Sequence, residues 1–233
     1  MDYAQFCPVA KATEILGEKW TLLIVRELLM GGTRFNELQR GLGLISPSLL
    51  TKRLKDLEQA GVVIRKKIPG QRGHEYLLTA MGRELLPVVM QLGEWGMRWA
   101  RGAMPEQDLD VELLMLYLQR SIRPEALPGK ETVVRFRFSD LKSLGDWWLL
   151  INDGSVDVCV QDPGREVDIY FGTDLRTMIQ VWMGDLSYRA AMADGRMRIV
   201  GPSALTRDIK RWLAPHRLAD IRPASEIAQA SAD

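Results

Sequence analysis

The sequence is poor in cysteine and histidine, with two of each among 233 residues: Cys7, Cys159, His74 and His216. Two cysteines cannot build the several disulfides on which small secreted domains depend. Two histidines add too few further ligands for a structural metal site. A disulfide-stapled secreted module and a metal-dependent fold are therefore disfavoured, and we expect no metal and no cofactor.

Long apolar runs and catalytic motifs are missing as well. No stretch of about 18 apolar residues, the length that crosses a bilayer, occurs, and the first residues lack the basic and apolar segments of a signal peptide. Nor is there a GxxxxGKS/T loop, a pair of catalytic carboxylates or a Ser-His-Asp spacing. We expect a cytoplasmic protein that has no membrane partner and is not an enzyme.

The composition is that of a globular protein, but its charge is divided unevenly along the chain. The 46% hydrophobic and 26% charged residues suit two cores of about 100 residues each. Residues 1–101 hold 15 Lys and Arg against 10 Asp and Glu, a net of +5, and residues 102–233 hold 16 against 20, a net of −4. The first half is therefore the candidate for contact with a polyanion.

Glycine and proline mark two breaks in the chain, near residues 101–108 and 123–130. They predict four segments, which are a first domain (1–101), a helix and linker (102–130), a second domain (131–215) and a tail (216–233).

The first domain is predicted to contain helices followed by a hairpin. Apolar spacing and turn residues predict helices over 7–16, 19–30, 34–40 and 46–60, strands around 62–64 and 76–78, and a long helix over 80–100. Ser46 is the expected N-cap of the fourth helix, and Pro47 stands in its first turn. Short helices followed by a two-stranded wing are the parts of an α/β winged helix-turn-helix.

The fourth helix has one apolar and one polar face. At about 100° per residue, Leu50, Leu54 and Leu57 share the core face. The opposite face carries cations, hydroxyls and an amide but no acid: Ser48, Thr51, Lys52, Lys55 and Gln59. Such groups suit the phosphate oxygens and base edges of DNA, and a merely solvated face is the alternative. The wing supplies further cations that can hold the DNA backbone, namely Arg65, Lys66, Lys67 and Arg72.

A series of short motifs runs in register through the first 100 residues. They are CPV at 7–9, LGEKWTLLIVREL at 16–28, RFNEL at 34–38, ISP at 45–47, LTKRL at 50–54 and LGEWG at 92–96. This series resembles the HxlR-type winged-helix regulators over about residues 5–100. The resemblance implies a homodimeric, DNA-binding transcription factor whose terminal helices pair the subunits. It also implies DNA contacts at Arg34 and along the stretch from Ser46 to Arg53.

The last helix of the first domain carries a narrow apolar seam. Leucine, valine and tryptophan recur at steps of three and four residues, at Leu85, Val88 or Val89, Leu92, Trp95 and Trp99. A seam of this kind pairs helices, although it can also cover its own domain. We predict a homodimer, for which two-fold symmetry would require two DNA half-sites about one helical turn apart.

Cys7 has two interpretations. In some relatives of the HxlR type the cysteine before Pro-Val senses oxidants or electrophiles, and Cys7 matches that position. A helix start favours a reactive thiolate, whereas a buried thiol is usually a small hydrophobic side chain. A redox-sensing regulator is therefore an alternative function.

From residue 132 the hydrophobic pattern changes to period two. Strands are predicted around 134–138, 147–151, 156–160, 167–171 and 196–200, with the Asn152-Asp153-Gly154 turn joining the second and third. Helices are predicted over 174–183, 187–194 and 203–213. This order indicates an α+β domain with helices on one side of a mainly antiparallel sheet.

The apolar spacing and turn glycines at 148–154, 167–169, 175–184 and 195–201 are similar to those of the sterol carrier protein type 2 domain. The resemblance covers about residues 110–214. It implies a non-catalytic domain that binds lipids and other hydrophobic molecules between sheet and helices. Flexible thioethers and indoles fall near that seam, and they are Trp147, Trp148, Met178, Trp182, Met183, Met192 and Met197. A filled core is the alternative use of these side chains.

Together these features predict a homodimeric transcriptional regulator that binds double-stranded DNA. Its second domain is expected to sense a small hydrophobic effector. One alternative is the redox regulator acting through Cys7. Another is a lipid-binding protein whose winged domain makes protein contacts.

Overall fold

Two compact units, Met1–Trp95 and Gly96–Asp233, make up the chain in a computed structural model that describes residues 2–70, 72–100 and 104–224. Each unit has a hydrophobic core of its own. The elements of the first unit are α1 (Pro8–Leu16), α2 (Thr21–Leu29), α3 (Phe35–Gly41), α4 (Pro47–Gln59), β1 (Val63–Lys67), β2 (His74–Leu78), α5 (Ala80–Arg83) and α6 (Leu86–Trp95).

The core of the first unit forms where the apolar faces of α2, α3 and α4 meet. Its fully buried side chains include Ile24, Leu38, Leu50, Leu54 and Leu57. Leu50, Leu54 and Leu57 are the leucines that the sequence places on the inner face of α4. The order of helices followed by the antiparallel pair β1–β2 is the winged helix-turn-helix that the sequence predicts.

The wing is joined to the helical part by main-chain hydrogen bonds. The N–H of Tyr76 in β2 donates to the carbonyl of Thr33 at 2.7 Å, and Arg34 forms an antiparallel bridge with Glu75. The loop before α3 therefore acts as a short third strand beside the wing. This pairing holds the start of α3 next to the hairpin.

The prediction of a single long α-helix over residues 80–100 is wrong. The helix stops after Arg83, restarts at Leu86 and ends in a π-helical turn, Gly96–Ala100. Pro87 explains the break, because it has no N–H to donate to the carbonyl four residues earlier and its ring crowds that carbonyl.

The second unit is a five-stranded sheet with helices on one face. Its strands are β3 (Glu131–Phe138), β4 (Asp146–Asn152), β5 (Ser155–Cys159), β6 (Ile169–Thr173) and β7 (Met197–Val200). Its helices are α7 (Val111–Ser121), α8 (Leu175–Met183), α9 (Tyr188–Ala193), α10 (Ser203–Thr206) and α11 (Ile209–Trp212), besides short 3-10 turns at Glu106–Asp108 and Pro124–Ala126. The strand order is β5-β4-β3-β6-β7, and only the β3–β6 pair is parallel. This is the mainly antiparallel α+β fold that the sequence predicts.

The core of the second unit extends beyond the segment 131–215. Leu114, Met115 and Leu118 of α7 are buried in it, so α7 is part of this domain. After the last helix, the main-chain N–H of His216 donates to the carbonyl of Trp182 at 2.8 Å. The imidazole ring of His216 packs edge-on against the indole of Trp182. The start of the predicted tail thus packs on α8. The last predicted helix, 203–213, is divided into α10 and α11.

Candidate nucleic-acid interface

Helix α4 is presented with its polar face to solvent. Ser46 is its N-cap and accepts a hydrogen bond from the N–H of Leu49 at 3.3 Å, and Pro47 begins the first turn. The polar side chains predicted on the outer face are all exposed in the described structure: Ser48, Thr51, Lys52, Lys55 and Gln59. The hydroxyl of Thr51 donates to the carbonyl of Pro47 at 2.8 Å, which leaves its oxygen as an acceptor. Cations, hydroxyls and an amide therefore share one accessible surface.

Arg53 is a correction to the predicted set of DNA contacts. It is 7% exposed, and its Nη2 lies 2.7 Å from the carboxylate of Glu18 while its Nε donates to the carbonyl of Lys19 at 3.0 Å. Nη1 contacts Asp56 at 3.2 Å. Every arm of the guanidinium is engaged inside the protein, so Arg53 holds α4 against the loop between α1 and α2.

Further cations surround the helix. Arg34 is exposed at the N-cap of α3, where the Glu37 carboxylate accepts hydrogen bonds from the N–H groups of Thr33 and Arg34. In the wing Arg65, Lys66, Lys67 and Arg72 are exposed, and Arg65 lies 3.0 Å from Nδ1 of His74. Exposed basic groups thus lie on two further elements, the N-cap of α3 and the wing, which are hydrogen-bonded to each other. Position 71, at the hairpin tip, lies outside the described residues.

The residues of the predicted apolar seam point in two directions, some toward the core of the first unit and some toward solvent. Leu85 and Val89 pack against the core of their own unit, so these two predicted dimer residues cover the domain that carries them. Leu92 and Trp95 face solvent, with Trp95 58% exposed, and Trp99 in the following π-helical turn is 63% exposed. Val88, the other choice at that step, is exposed too.

Cys7 lies at the N-cap position of α1, half-buried and without a disulfide. The nearest cation in sequence, Lys11, is engaged elsewhere, because its Nζ contacts Glu14 at 2.9 Å and Asp2 at 3.8 Å. The hydrogen bond from Lys11 lowers the pKa of the Glu14 carboxyl below its usual value. Lys11 therefore stabilises the carboxylate of Glu14 rather than a thiolate.

The predicted ligand residues of the second unit do not form one cluster. Trp147, Met178, Trp182 and Met197 are buried in the core between sheet and helices, and Met183 packs against it. Trp182 is fixed on two sides, by a hydrogen bond from its Nε1 to Ser121 at 3.0 Å and by stacking on Tyr117 with ring centroids 5.2 Å apart.

Two of those residues are corrections. Trp148 lies on the opposite face of the sheet, because it pairs in register with Arg135 and neighbouring residues of a strand alternate between faces. Its Nε1 is buried and has no hydrogen-bond partner among the residues that the structure describes. Met192 is 42% exposed on α9. Neither side chain belongs to the seam between sheet and helices.

Within the described residues, no group of three or more His, Cys, Asp or Glu side chains is arranged to hold a metal ion. In the same part of the chain, no helix is long and apolar enough to cross a membrane.

Comparison with known proteins assigns two successive parts of the chain to two different families. Residues 15–104 match the HxlR-like helix-turn-helix family, and residues 114–214 match the SCP-2 sterol transfer family. The HTH-type transcriptional regulator YvaP of Bacillus subtilis is 40% identical over 101 residues, which are 42% of this chain and 94% of YvaP. Rv3095 of Mycobacterium tuberculosis, also named an HTH-type transcriptional regulator, is 42% identical over 38% of this chain and 56% of its own length.

Among solved structures, the reduced form of the transcriptional regulator YodB from B. subtilis is 35% identical, with a TM-score of 0.35. That match covers 40% of this chain and 92% of YodB. The curated relatives are named as regulators and not as enzymes. The chain belongs to the HxlR-like helix-turn-helix family, and is a transcriptional regulator with a DNA-binding helix-turn-helix domain joined to an SCP-2-like domain.

Proposed function

We propose that the protein is a homodimer that reads an operator with α4 and the wing, and that a hydrophobic effector bound by the SCP-2-like domain changes its affinity for DNA. The observation that carries the first part is the outer face of α4. Five exposed polar residues without an acid lie there, next to exposed cations of the wing and of Arg34. Lysine and hydroxyl groups bind phosphates and base edges, and the first turns of such a helix enter the major groove.

The DNA contacts proposed are the exposed members of the predicted set. They are Arg34, Ser46, Ser48, Thr51, Lys52, Lys55, Lys67 and Arg72. The lysines and arginines act mainly on the phosphate backbone, and the hydroxyls near the start of α4 are placed for base edges.

The test is a fluorescence-anisotropy titration of duplex DNA from the region upstream of the gene, at several salt concentrations, against a scrambled duplex. We expect a preference of about a thousandfold or more for the natural duplex, because specific sites are bound that much more tightly than non-specific ones. Log affinity should fall linearly with log salt, with a slope that corresponds to several phosphate contacts.

Two variants locate the interface. Lys52→Ala and Lys55→Ala should each weaken binding to both duplexes and reduce the salt slope by about one. Lys142→Ala, which removes an exposed lysine from the second unit, is the matched control and should change neither quantity. Unchanged binding by the α4 variants would instead favour a winged domain used for protein contacts.

The dimer is proposed from the exposed part of the α6 seam. Leu92, Trp95 and Trp99 are large apolar side chains in contact with solvent in a single chain. Covering them in a symmetric pair would remove this area from water and set the spacing of two recognition helices.

Effector binding is proposed at the seam between sheet and helices. Support comes from the SCP-2 match and from the flexible thioethers of Met178, Met183 and Met197, which can repack around an apolar guest. A ligand changes DNA affinity only if it binds the DNA-competent and incompetent forms unequally. The neutral apolar probe N-phenyl-1-naphthylamine should therefore bind and shift the DNA dissociation constant, and saturation without a shift would contradict sensing.

A thiol switch is the second candidate, favoured by the position of Cys7 at the N-terminus of α1, where the helix dipole favours a negative charge. In that case Cys7→Ser would abolish the effect of an oxidant such as diamide on DNA binding. Trp182→Ala, which alters the second unit, would leave that effect intact.

A further inference from the structure

The face of the sheet opposite the described helices of the second unit contains a basic groove. The groove has a volume of about 360 Å³ and lies across β3, β6 and β7. Its walls include Arg135, Arg137, Tyr170, Arg198 and Val200. Its volume is within the range of sites for small molecules. It is separate from the proposed effector seam, which lies on the other face of the sheet.

The strand register explains why there is a groove at this place. Arg137, Gly172 and Arg198 are directly opposite one another on three neighbouring strands. Because Gly172 has no side chain, the row has an arginine on each side and a gap between them. Among the described residues beyond its chain neighbours, a Cβ added at Gly172 would meet only the Arg198 carbonyl, at 3.9 Å, so the gap is open.

The adjacent row of the register supplies aromatic and apolar surface. Tyr170 pairs with Arg135 on one side and with Val200 on the other. Tyr170 and Val200 are exposed, with relative accessibilities of 41% and 46%. An accessible ring and an accessible branched aliphatic side chain therefore stand next to the gap.

The three arginines differ in whether the guanidinium group already has a partner within the protein. Arg135 lies 3.0 Å from the carboxylate of Asp146, and its guanidinium is 5.1 Å from the ring centroid of Trp148. Arg137 and Arg198 are exposed and have no hydrogen-bond or ion-pair partner within the described parts of the chain. The groove therefore contains two cations that are free to bind an anion.

We propose that this groove binds a small organic anion that carries a flat aromatic part. Its carboxylate or phosphate is held between Arg137 and Arg198 above Gly172, since guanidinium groups form strong charge-assisted bonds with such oxygens. Its ring lies on Tyr170 and Val200. This assignment does not depend on the effector proposed for the seam.

A small anion fits the groove better than the backbone of a nucleic acid. Of the three arginines in the groove, two have no partner among the described residues. The surface beside them carries carboxylates at Asp146 and Asp168, the latter accepting from the N–H of Val133 at 2.8 Å. Acids along the edges repel an extended polyanion but permit a single charge in the centre.

Isothermal titration calorimetry on the full chain tests the proposal with benzoate, phenyl phosphate, acetate and benzyl alcohol. We expect one of the two aromatic anions to bind, with acetate and benzyl alcohol at least about tenfold weaker because each lacks one part of the ligand. Arg137→Gln and Arg198→Gln should each raise the dissociation constant of the aromatic anion by about tenfold or more. Arg189→Gln, which removes an exposed arginine of α9, is the matched control and should not.

Three results would overturn the assignment. One is the absence of measurable heat with either aromatic anion up to 10 mM, about the weakest affinity this method resolves. Another is binding of benzyl alcohol as tight as that of the aromatic anion, or a loss of anion binding in Arg189→Gln as large as in the two groove variants. Either result would place the ligand elsewhere. The third is displacement of the anion by a short random duplex even in a chain with Lys52→Ala and Lys55→Ala, which weaken the proposed DNA interface of the first unit; this would assign the groove to DNA. Unchanged thermal unfolding of each variant shows that a loss of binding does not arise from misfolding.

Discussion

Lys52 and Arg53 are neighbours in the sequence, yet the fold uses their charges differently. Lys52 is exposed on the outer face of α4, whereas Arg53 is turned inward and bonded to Glu18, Asp56 and the carbonyl of Lys19. The resemblance implied DNA contacts along this whole stretch. A step of one residue rotates the side chain by about 100°, which is enough to separate an exposed position from a buried one.

Arg53→Ala should lower the stability of the first unit by about 2 kcal/mol, because it removes packing and charged hydrogen bonds from a buried position. It should also weaken DNA binding, because α4 loses its anchor. The salt dependence separates this role from a direct contact: Lys52→Ala reduces the slope of log affinity against log salt by about one, and Arg53→Ala leaves the slope unchanged. An equal loss of slope in both variants would show that Arg53 reaches phosphate after all.

A second residue-scale effect concerns Gly41, at the end of α3. The Glu27 side chain is completely buried, with Arg26 Nη2 at 2.9 Å from its carboxylate, and a Cβ at position 41 would overlap that carboxylate. Gly41→Ala should therefore destabilise the first unit by about 2 kcal/mol, since overpacking outweighs the better helix propensity of alanine.

The control for Gly41→Ala is Gly96→Ala, because no described residue beyond its chain neighbours and its own helix backbone lies within 4 Å of a Cβ added at Gly96. Thermal unfolding followed by calorimetry measures both variants. A Gly41→Ala protein as stable as the native chain would mean that Glu27 can move aside, contrary to its complete burial.

At the scale of elements, α6 has to serve two purposes at once. Val89 of this helix, with Leu85 just before it, packs against the core of its own unit. Two residues of the predicted seam therefore pack within their own unit, and its exposed members, Val88, Leu92, Trp95 and Trp99, are available for pairing. Pro87 shortens the helix further by breaking its continuity with α5.

Leu92→Glu should raise the dissociation constant of the dimer by at least about tenfold, or about 1.4 kcal/mol, because it places a charge in an apolar contact. Leu86→Glu makes the same change at another exposed leucine of α6, about 120° around the helix, and should have little effect. Sedimentation equilibrium measures both. A chain that is monomeric without any substitution, or two variants with equal effects, would rule out pairing along this seam.

At the scale of the whole molecule, two separate cores predict two separate unfolding transitions. Leu54 is buried in the first core, and Phe171 is buried in the second, where it stacks on Phe136 with centroids 4.8 Å apart. Truncating either side chain costs about 3 kcal/mol, which corresponds to a shift of about 10 °C or more for a domain of this size.

Differential scanning calorimetry of the full chain should thus show Leu54→Ala lowering one transition and Phe171→Ala lowering the other. Each variant serves as the control for its counterpart. A single transition that moves equally in both variants would mean that the two units unfold as one cooperative structure.

Much of this organisation follows from the sequence alone. The winged helix-turn-helix, the α+β second domain and the inner face of α4 are all readable from it, because helix caps, turn glycines and apolar periodicity act over a few residues. The motifs from residues 7–9 to 92–96 also identify the family, since they are spaced in register.

Only the tertiary structure determined which residues far apart in the chain contact one another. The burial of Arg53 depends on Glu18, 35 residues away, and the place of α7 depends on a sheet that begins after it. Trp148 points away from the helices because its strand pairs with β3 in one register, and the groove beside Gly172 exists only where β3, β6 and β7 meet. Sequence patterns describe which face of an element is apolar, but partners across a fold are set by packing and strand register, which no local pattern encodes.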